Sequence, residues 1–227
     1  MKKELLNEII EKKKKKIEFT IITNLENGES CIYEKGMTIH KNFKNHQEDI
    51  NLCFDKKKNG VLDGTSIFVE NYIKPIKVVI IGAVHIAQYL LHFVENLNFE
   101  VFIIDPRGYF GSKKRFPNIK VINKWPKEAF TEIQTDQNTA LIALTHDPKI
   151  DDIALQFAMN NNFFYIGALG SKKTHADRCK RLKEANFTKS SIDKICGPIG
   201  IKIGGKSAPE IALSITAQLV LEVYKKK

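Results

Sequence analysis

Hydrophobic positions change their period twice along the chain. Leu5, Leu6, Ile9 and Ile10 fall on one side of a helix among lysines and glutamates, which predicts a short charged helix over residues 3–16. From Ile17 the pattern becomes β-rich through Asn24. Glu26-Asn27-Gly28-Glu29 reads as a turn, and Ser30 to Glu34 as a returning strand. Residues 36–60 are polar and show no clear period. Ile67-Phe68-Val69 is a further short strand, and Lys74-Pro75 marks a boundary. Residues 1–73 therefore read as a small domain, β-rich after its helix.

Beyond Pro75 apolar runs alternate with amphipathic stretches. Lys77 to Gly82 is an apolar run ending in glycine, as buried parallel strands do. Residues 85–97 place Ile86, Leu90, Phe93 and Leu97 on one helical face. Val101–Ile104, Ile119–Ile122, Thr139–Leu144 and Phe163–Ile166 are predicted strands. Residues 126–133, 148–160, 172–185 and 208–225 are predicted helices. The last opens on Ser207 with Glu210 three residues later and Pro209 in the first turn, a capping signature. Strand–helix alternation predicts an α/β fold for residues 74–227: a Rossmann-like doubly wound parallel sheet of order 3-2-1-4-5.

Composition excludes several classes. Of 227 residues 43% are hydrophobic, enough for an ordinary core, and no window approaches a membrane span. The formal charge is +10, but the lysines are scattered and not interleaved with aromatics, so nucleic acid is not the expected partner. The dense run Lys12–Lys16 reads as a solvated helix face. Cys31, Cys53, Cys179 and Cys196 form no CxxC and no metal spacing, so no bound metal is expected. With no apolar leader in MKKELLNEIIEKKKKK, the expectation is reduced thiols in a cytoplasmic protein.

In such a sheet ligands bind beyond the carboxyl ends of the strands. The candidate binding residues therefore follow the strands: Gly82, Ala83, Val84 and His85; Asp105 and Arg107; His146; Gly170, Ser171 and Lys172. The first set is a broken G-x-G-x-x-G/A pattern, with Val84 at the second glycine, where a β-branched residue resists positive φ. Asp105 lies where an acidic residue meets a ribose hydroxyl, or else begins a turn with Pro106. His146 is read as a crevice group, and Asp147 as the N-cap of the helix at Pro148. Gly170-Ser171-Lys172 is either an anion cradle at a helix start or a plain serine cap. His85 either points into the cleft or covers it. The glycines of 197–205 predict tight contact with a ligand or another loop. No catalytic residue is assigned.

Together these segments resemble the xanthine dehydrogenase accessory protein family, XdhC/CoxI. The resemblance rests on IGAVHIAQYL (81–90), FIIDPRGYF (102–110) with RFP (115–117), LTHDPKIDDIAL (144–155), YIGALGSKKT (165–174) and GPIGIKIGGKSAPEIALSI (197–215). It implies an accessory or chaperone role, non-enzymatic, for a molybdenum hydroxylase. Such a protein would bind molybdenum cofactor (molybdopterin, a pterin with a phosphate) or NAD(P). It would deliver the cofactor to its hydroxylase partner and could pair as a homodimer. An NAD(P)-binding sensor or scaffold stands second, and an NAD(P)-dependent oxidoreductase third. The sequence departs from the family at Val84, and in the N-terminal domain, where no glycine-rich Cys-Leu-Glu motif surrounds Cys31 or Cys53.

Overall fold

Alternate side chains of the segment Phe19–Asn24 face two different small cores. Phe19 and Ile21 pack with Ile9, whereas Ile22 packs with Phe43, Ile50 and Val69. The computed structural model describes residues 3–225 and divides between Lys74 and Pro75 into two compact units. The first contains α1 (Lys3–Lys14), β1 (Phe19–Asn24), β2 (Ser30–Tyr33), α2 (Gln47–Asp55), β3 (Gly60–Val61) and β4 (Ile67–Tyr72). Its antiparallel sheet has the order β2-β1-β4-β3. A 3-10 turn at Lys41–His46 and α2 occupy the stretch that showed no period, because only Phe43 and Ile50 in these two elements are buried. The basic run is exposed at Lys13–Lys16, as a solvated face would be; Lys12 is partly buried and pairs with Glu34 and Glu8, and Lys13 lies 4.0 Å from the centre of the Tyr72 ring.

The second unit is built on β5 (Lys77–Ile81), which is buried on both faces. Val78 and Ile80 enter one core with Leu90, Val94, Ile215 and Leu219; Val79 and Ile81 enter the other with Leu141, Ala154, Leu155 and Leu182. A strand apolar on both sides requires helices above and below it. They are α3 (His85–Asn96) and α8 (Ala208–Lys225) on the first face. On the second lie α4 (Pro126–Ala129), α5 (Pro148–Asn160), α6 (Lys172–Glu184) and α7 (Lys189–Ile192). The remaining strands are β6 (Glu100–Ile104), β7 (Lys120–Ile122), β8 (Thr139–Ala143), β9 (Tyr165–Ala168) and β10 (Ile195–Cys196).

The sheet is fully parallel, in the order β10-β9-β8-β5-β6-β7. Counted from β5 this is the expected 3-2-1-4-5 with a sixth strand added. That strand escapes a sequence reading because it is two residues long. The fifth strand also starts two residues later than its apolar run, since Phe163 packs edge-on against Phe130 and Phe157 before pairing begins. The helix expected at 126–133 is α4 followed by a 3-10 turn at Phe130–Glu132. No helix among the described residues is long and apolar enough to cross a membrane.

Burying each Val or Ile of β5 contributes roughly 1.5–3 kcal/mol, and truncating a core side chain adds the cost of a cavity. Leu90, fully buried where α3 meets α8 and the sheet, is a direct test. Leu90→Ala is expected to destabilise the second unit by about 2–5 kcal/mol. Urea denaturation followed by the fluorescence of the single tryptophan, Trp125, reports on that unit. A loss well under 1 kcal/mol would contradict the packing described.

Candidate functional site

Three connections at the carboxyl edge of the parallel sheet are tied by buried charged side chains. The first, after β5, begins at Gly82, whose φ of +107° favours glycine. A Cβ there would also lie 2.7 Å from Thr145 Cγ2, so the turn after β5 sits tightly against the connection after β8. Asp105, immediately after β6, has no exposed surface. Its carboxylate accepts from the Ala83 amide at 2.8 Å and from the Arg107 amide, Nε and Nη2 at 2.9 Å each. A carboxylate offers about four acceptor positions, so these four bonds saturate it. Burial alone would push the Asp105 carboxyl up, but hydrogen bonding from Arg107 and Ala83 outweighs it and holds the group below the usual range.

This geometry changes the reading of two expected ligands. Asp105 presents no free acceptor to a ribose; it fastens the turn instead. Val84 is the N-cap of α3 at φ −81° and ψ 174°, an ordinary extended conformation, so the expected resistance to positive φ does not arise. Arg115, quoted in the RFP motif but given no role, completes the closure. Its Nη1 donates to the carbonyls of Ala83 and Phe110, both at 2.8 Å, and its Nη2 to Gln88 at 2.9 Å. His85 is exposed and stacks edge-on against Tyr89, 5.0 Å between ring centres. Arg107 keeps a partly exposed guanidinium, whose Cζ lies 4.7 Å from the centre of the Phe110 ring.

After β8, His146 adopts φ +61° and is exposed. The strained backbone is held by Asp151, which is 2% exposed and accepts from Thr145 Oγ1 at 2.7 Å and from the His146 amide at 3.1 Å. Burial pushes the Asp151 carboxyl up, and the bonds from Thr145 oppose that. Asp147 caps α5 as expected, accepting from the Lys149 amide. After β9, Gly170 takes φ +141° and Ser171 caps α6 by accepting from the Thr174 amide at 3.1 Å. The serine cap is therefore real, and Lys172 begins the helix, exposed. Under this turn lies Arg178, 2% exposed, whose Nη2 donates to the Leu169 carbonyl at 2.8 Å. Asp151 lies in the quoted LTHDPKIDDIAL segment and Arg178 in none. As polar residues with polar neighbours in their helices, neither is marked by sequence as a group of the sheet edge.

The glycines of 197–205 are occupied by the protein itself. Gly197 abuts the His175 ring, Gly200 abuts Ser214, and Gly205 abuts Glu210. Glu210 accepts from the amides of Lys206 and Ser207, the carboxylate half of the expected capping box. Cys31 and Cys53 are half-buried, and burial pushes the Cys31 thiol up to about 11. No cluster of metal-ligating side chains occurs among the described residues. A hollow of about 200 Å³ lined by Asp49, Cys53, Lys56 and Gly60 lies in the first unit. The convergence of charge, helix starts and glycine turns belongs to the sheet edge of the second.

Residues 78–219 match the family described as the XdhC Rossmann domain, more than half of the chain. The chain belongs to the XdhC family. A Bacillus subtilis (strain 168) protein, named as a probable component of xanthine dehydrogenase, is 27% identical over 157 residues, 69% of this chain and 46% of its own. The molybdenum cofactor insertion chaperone PaoD of Escherichia coli (strain K12) is 35% identical over 99 residues, 44% of this chain and 30% of its own. The chain thus spans less than half the length of either relative. A crystal structure of a xanthine dehydrogenase from Bacillus halodurans superposes with a TM-score of 0.72 at 20% identity. The match covers 97% of this chain and 67% of that one, a likeness of fold.

In this XdhC domain the Asp105 clasp has a measurable signature. Asp105→Asn is expected to cost about 1.5–3 kcal/mol, the range for a hydrogen bond to a charged group. Arg107 remains about a third exposed, so solvent screens the pair. Because the folded carboxyl lies below the ordinary aspartate value of about 3.9, its contribution is complete above that pH and is lost as pH falls through the folded value. Urea midpoints measured from neutral pH downward should converge for wild type and variant in acid. A constant gap across the whole range would show that the charge is not what stabilises the turn.

Proposed function

We propose that this chain is an accessory factor for a molybdenum hydroxylase of the xanthine dehydrogenase type. It binds a phosphate-bearing pterin cofactor at the carboxyl edge of its parallel sheet and delivers it to the apoenzyme. The saturated carboxylate of Asp105 carries this reading. The one acidic group at the ribose position is spent on Ala83 and Arg107, while the edge keeps cations and helix starts suited to an anion. A dinucleotide thus loses its ribose acceptor, whereas a phosphate keeps its donors. The names of the Bacillus subtilis and Escherichia coli relatives point the same way.

When bound, the cofactor would bring the molybdenum chemistry. The protein's part is to hold its anionic end, exclude competing partners and release it. Arg107, Lys172 and the amides at the start of α6 are the groups that would hold it. Cys31 is poorly suited to ligate the metal, because a ligating thiol must lose its proton and burial opposes that. Binding and transfer, not turnover, is the role we assign to His146 and its neighbours: His146 is exposed to solvent while its amide is fixed by Asp151.

Native mass spectrometry of the full chain, purified from a host that makes molybdenum cofactor, decides the ligand. A co-purifying pterin phosphate is the expected result; NAD(P) bound with no pterin would overturn the reading and favour a nucleotide sensor. A second measurement separates the two causes of a weak dinucleotide site. Val84→Gly removes a branched Cβ at a cap where glycine costs only a few tenths of a kcal/mol. If Asp105 and Arg115 close the turn, the variant gains no thermal shift with NAD(P) or AMP. A clear gain would mean that Val84 alone kept a nucleotide out.

A further inference from the structure

Resting on the reading of the sheet edge as a site for a phosphate-bearing cofactor, we infer where the phosphate sits. It is seated at the start of α6, on the amides of Lys172 and Lys173 with the buried Arg178 guanidinium beneath. It does not occupy the turn between β5 and α3, the usual phosphate position of such folds.

The first turn already holds an anion. The Ala83 amide donates to the Asp105 carboxylate at 2.8 Å, so an incoming phosphate would meet a negative charge at the amide it needs. The Ala83 carbonyl is bound to Arg115, and Val84 adds a side chain where close backbone approach is required. Nothing comparable blocks the other turn. α6 is 13 residues long, and its cap Ser171 satisfies the Thr174 amide. The amides of Lys172 and Lys173 stand before the first intrahelical bond and have no partner within the helix. Both residues are exposed cations.

Arg178 supplies the independent observation. Helical side chains lean toward the N-terminus, and the bond from Nη2 to Leu169 places this guanidinium at the turn that starts α6. The residue is 2% exposed, yet its Nε and Nη1 donate to nothing. Asp151 and Asp152 lie close enough to offset part of its charge, but their hydrogen bonds go elsewhere: Asp151 to Thr145 and His146, Asp152 to Arg181. A buried guanidinium with idle donors is costly unless acceptors meet them. By binding the Leu169 carbonyl it also offsets a negative dipole beside the turn. A phosphate monoester above the turn would supply the acceptor oxygens that these donors lack. The phosphate of a pterin, of a nucleotide and the free ion share that chemistry.

The test is a titration of the full ¹⁵N-labelled chain with inorganic phosphate, AMP and a pterin phosphate, followed by amide shifts. Saturable shifts at Gly170 to Lys173, with Gly82 to Ile86 unmoved, are expected for all three. The pterin phosphate, being the intended source, should bind tightest. Arg178→Gln should weaken phosphate binding about tenfold or more, the value of a charge-assisted hydrogen bond, and Arg178→Lys should recover part of it. Lys172→Glu with Lys173→Glu, both on the surface, should give a similar loss and keeps the test valid if Arg178→Gln does not fold. Shifts at Gly82 to Ile86, no saturable shift, or indifference to both variants would overturn the inference. Phosphate binding at α6 in a protein that carries no pterin would leave this subsite standing and remove the cofactor reading. Pterin binding with shifts only at the first turn would do the reverse.

Discussion

The carboxylate of Asp105 fixes the end of β6, the turn after β5 and the orientation of Arg107 in a single set of hydrogen bonds. Its burial makes those bonds strong, because a polar group removed from water must find its full complement of partners inside the protein. Arg115 then secures the carbonyl of the same Ala83 from the other side. With both its amide and its carbonyl engaged, this residue cannot turn toward a ligand without breaking the clasp. The shape of the first connection, and hence the type of ligand it tolerates, follows from that constraint.

Asp151 repeats the device one strand away. It reaches from α5 to the Thr145 and His146 amides and holds a histidine in the left-handed region, which such a residue does not adopt freely. Two buried carboxylates thus stiffen the two connections on either side of the point where strand order reverses, between β5 and β8. The third connection is built with the opposite sign, a buried arginine under a helix start. An edge made this way is electrically polarised.

Most of the sheet is legible in the sequence because its strands are continuous apolar runs and its helices are amphipathic; β5 and α3 follow from Val78–Ile81 and from Leu90 and Phe93 with little ambiguity. Local caps are legible for the same reason, since Asp147 and Ser171 sit immediately before helices and bond within their own first turn. What stays hidden depends on contacts far apart in sequence. Asp105 reads equally as ribose acceptor or turn former until Arg107 and Ala83 are seen to fill it. Arg115 lies 32 positions from its acceptor Ala83. α2 escapes notice because its nine residues bury only Ile50, and β10 because two residues carry no period. Val84 misleads for a different reason: a glycine position in a fingerprint suggests a glycine conformation, and in this turn the backbone does not adopt one.

The residues that shape the edge run from Gly82 to Arg178, wholly inside the stretch that matches the XdhC Rossmann domain. Their partners are local to that stretch as well: Gln88, Phe110, Thr145 and Leu169. The hydrogen bonds named at the edge therefore all fall within the second unit. The N-terminal unit has its own two cores and its own sheet, with Asn71 bonded to Thr20, Cys53 and Lys58. A domain so self-contained can diverge without disturbing the clasp at Asp105 or the guanidinium of Arg178. Divergence in the N-terminal unit and retention of the Asp105 clasp are therefore physically compatible in one chain.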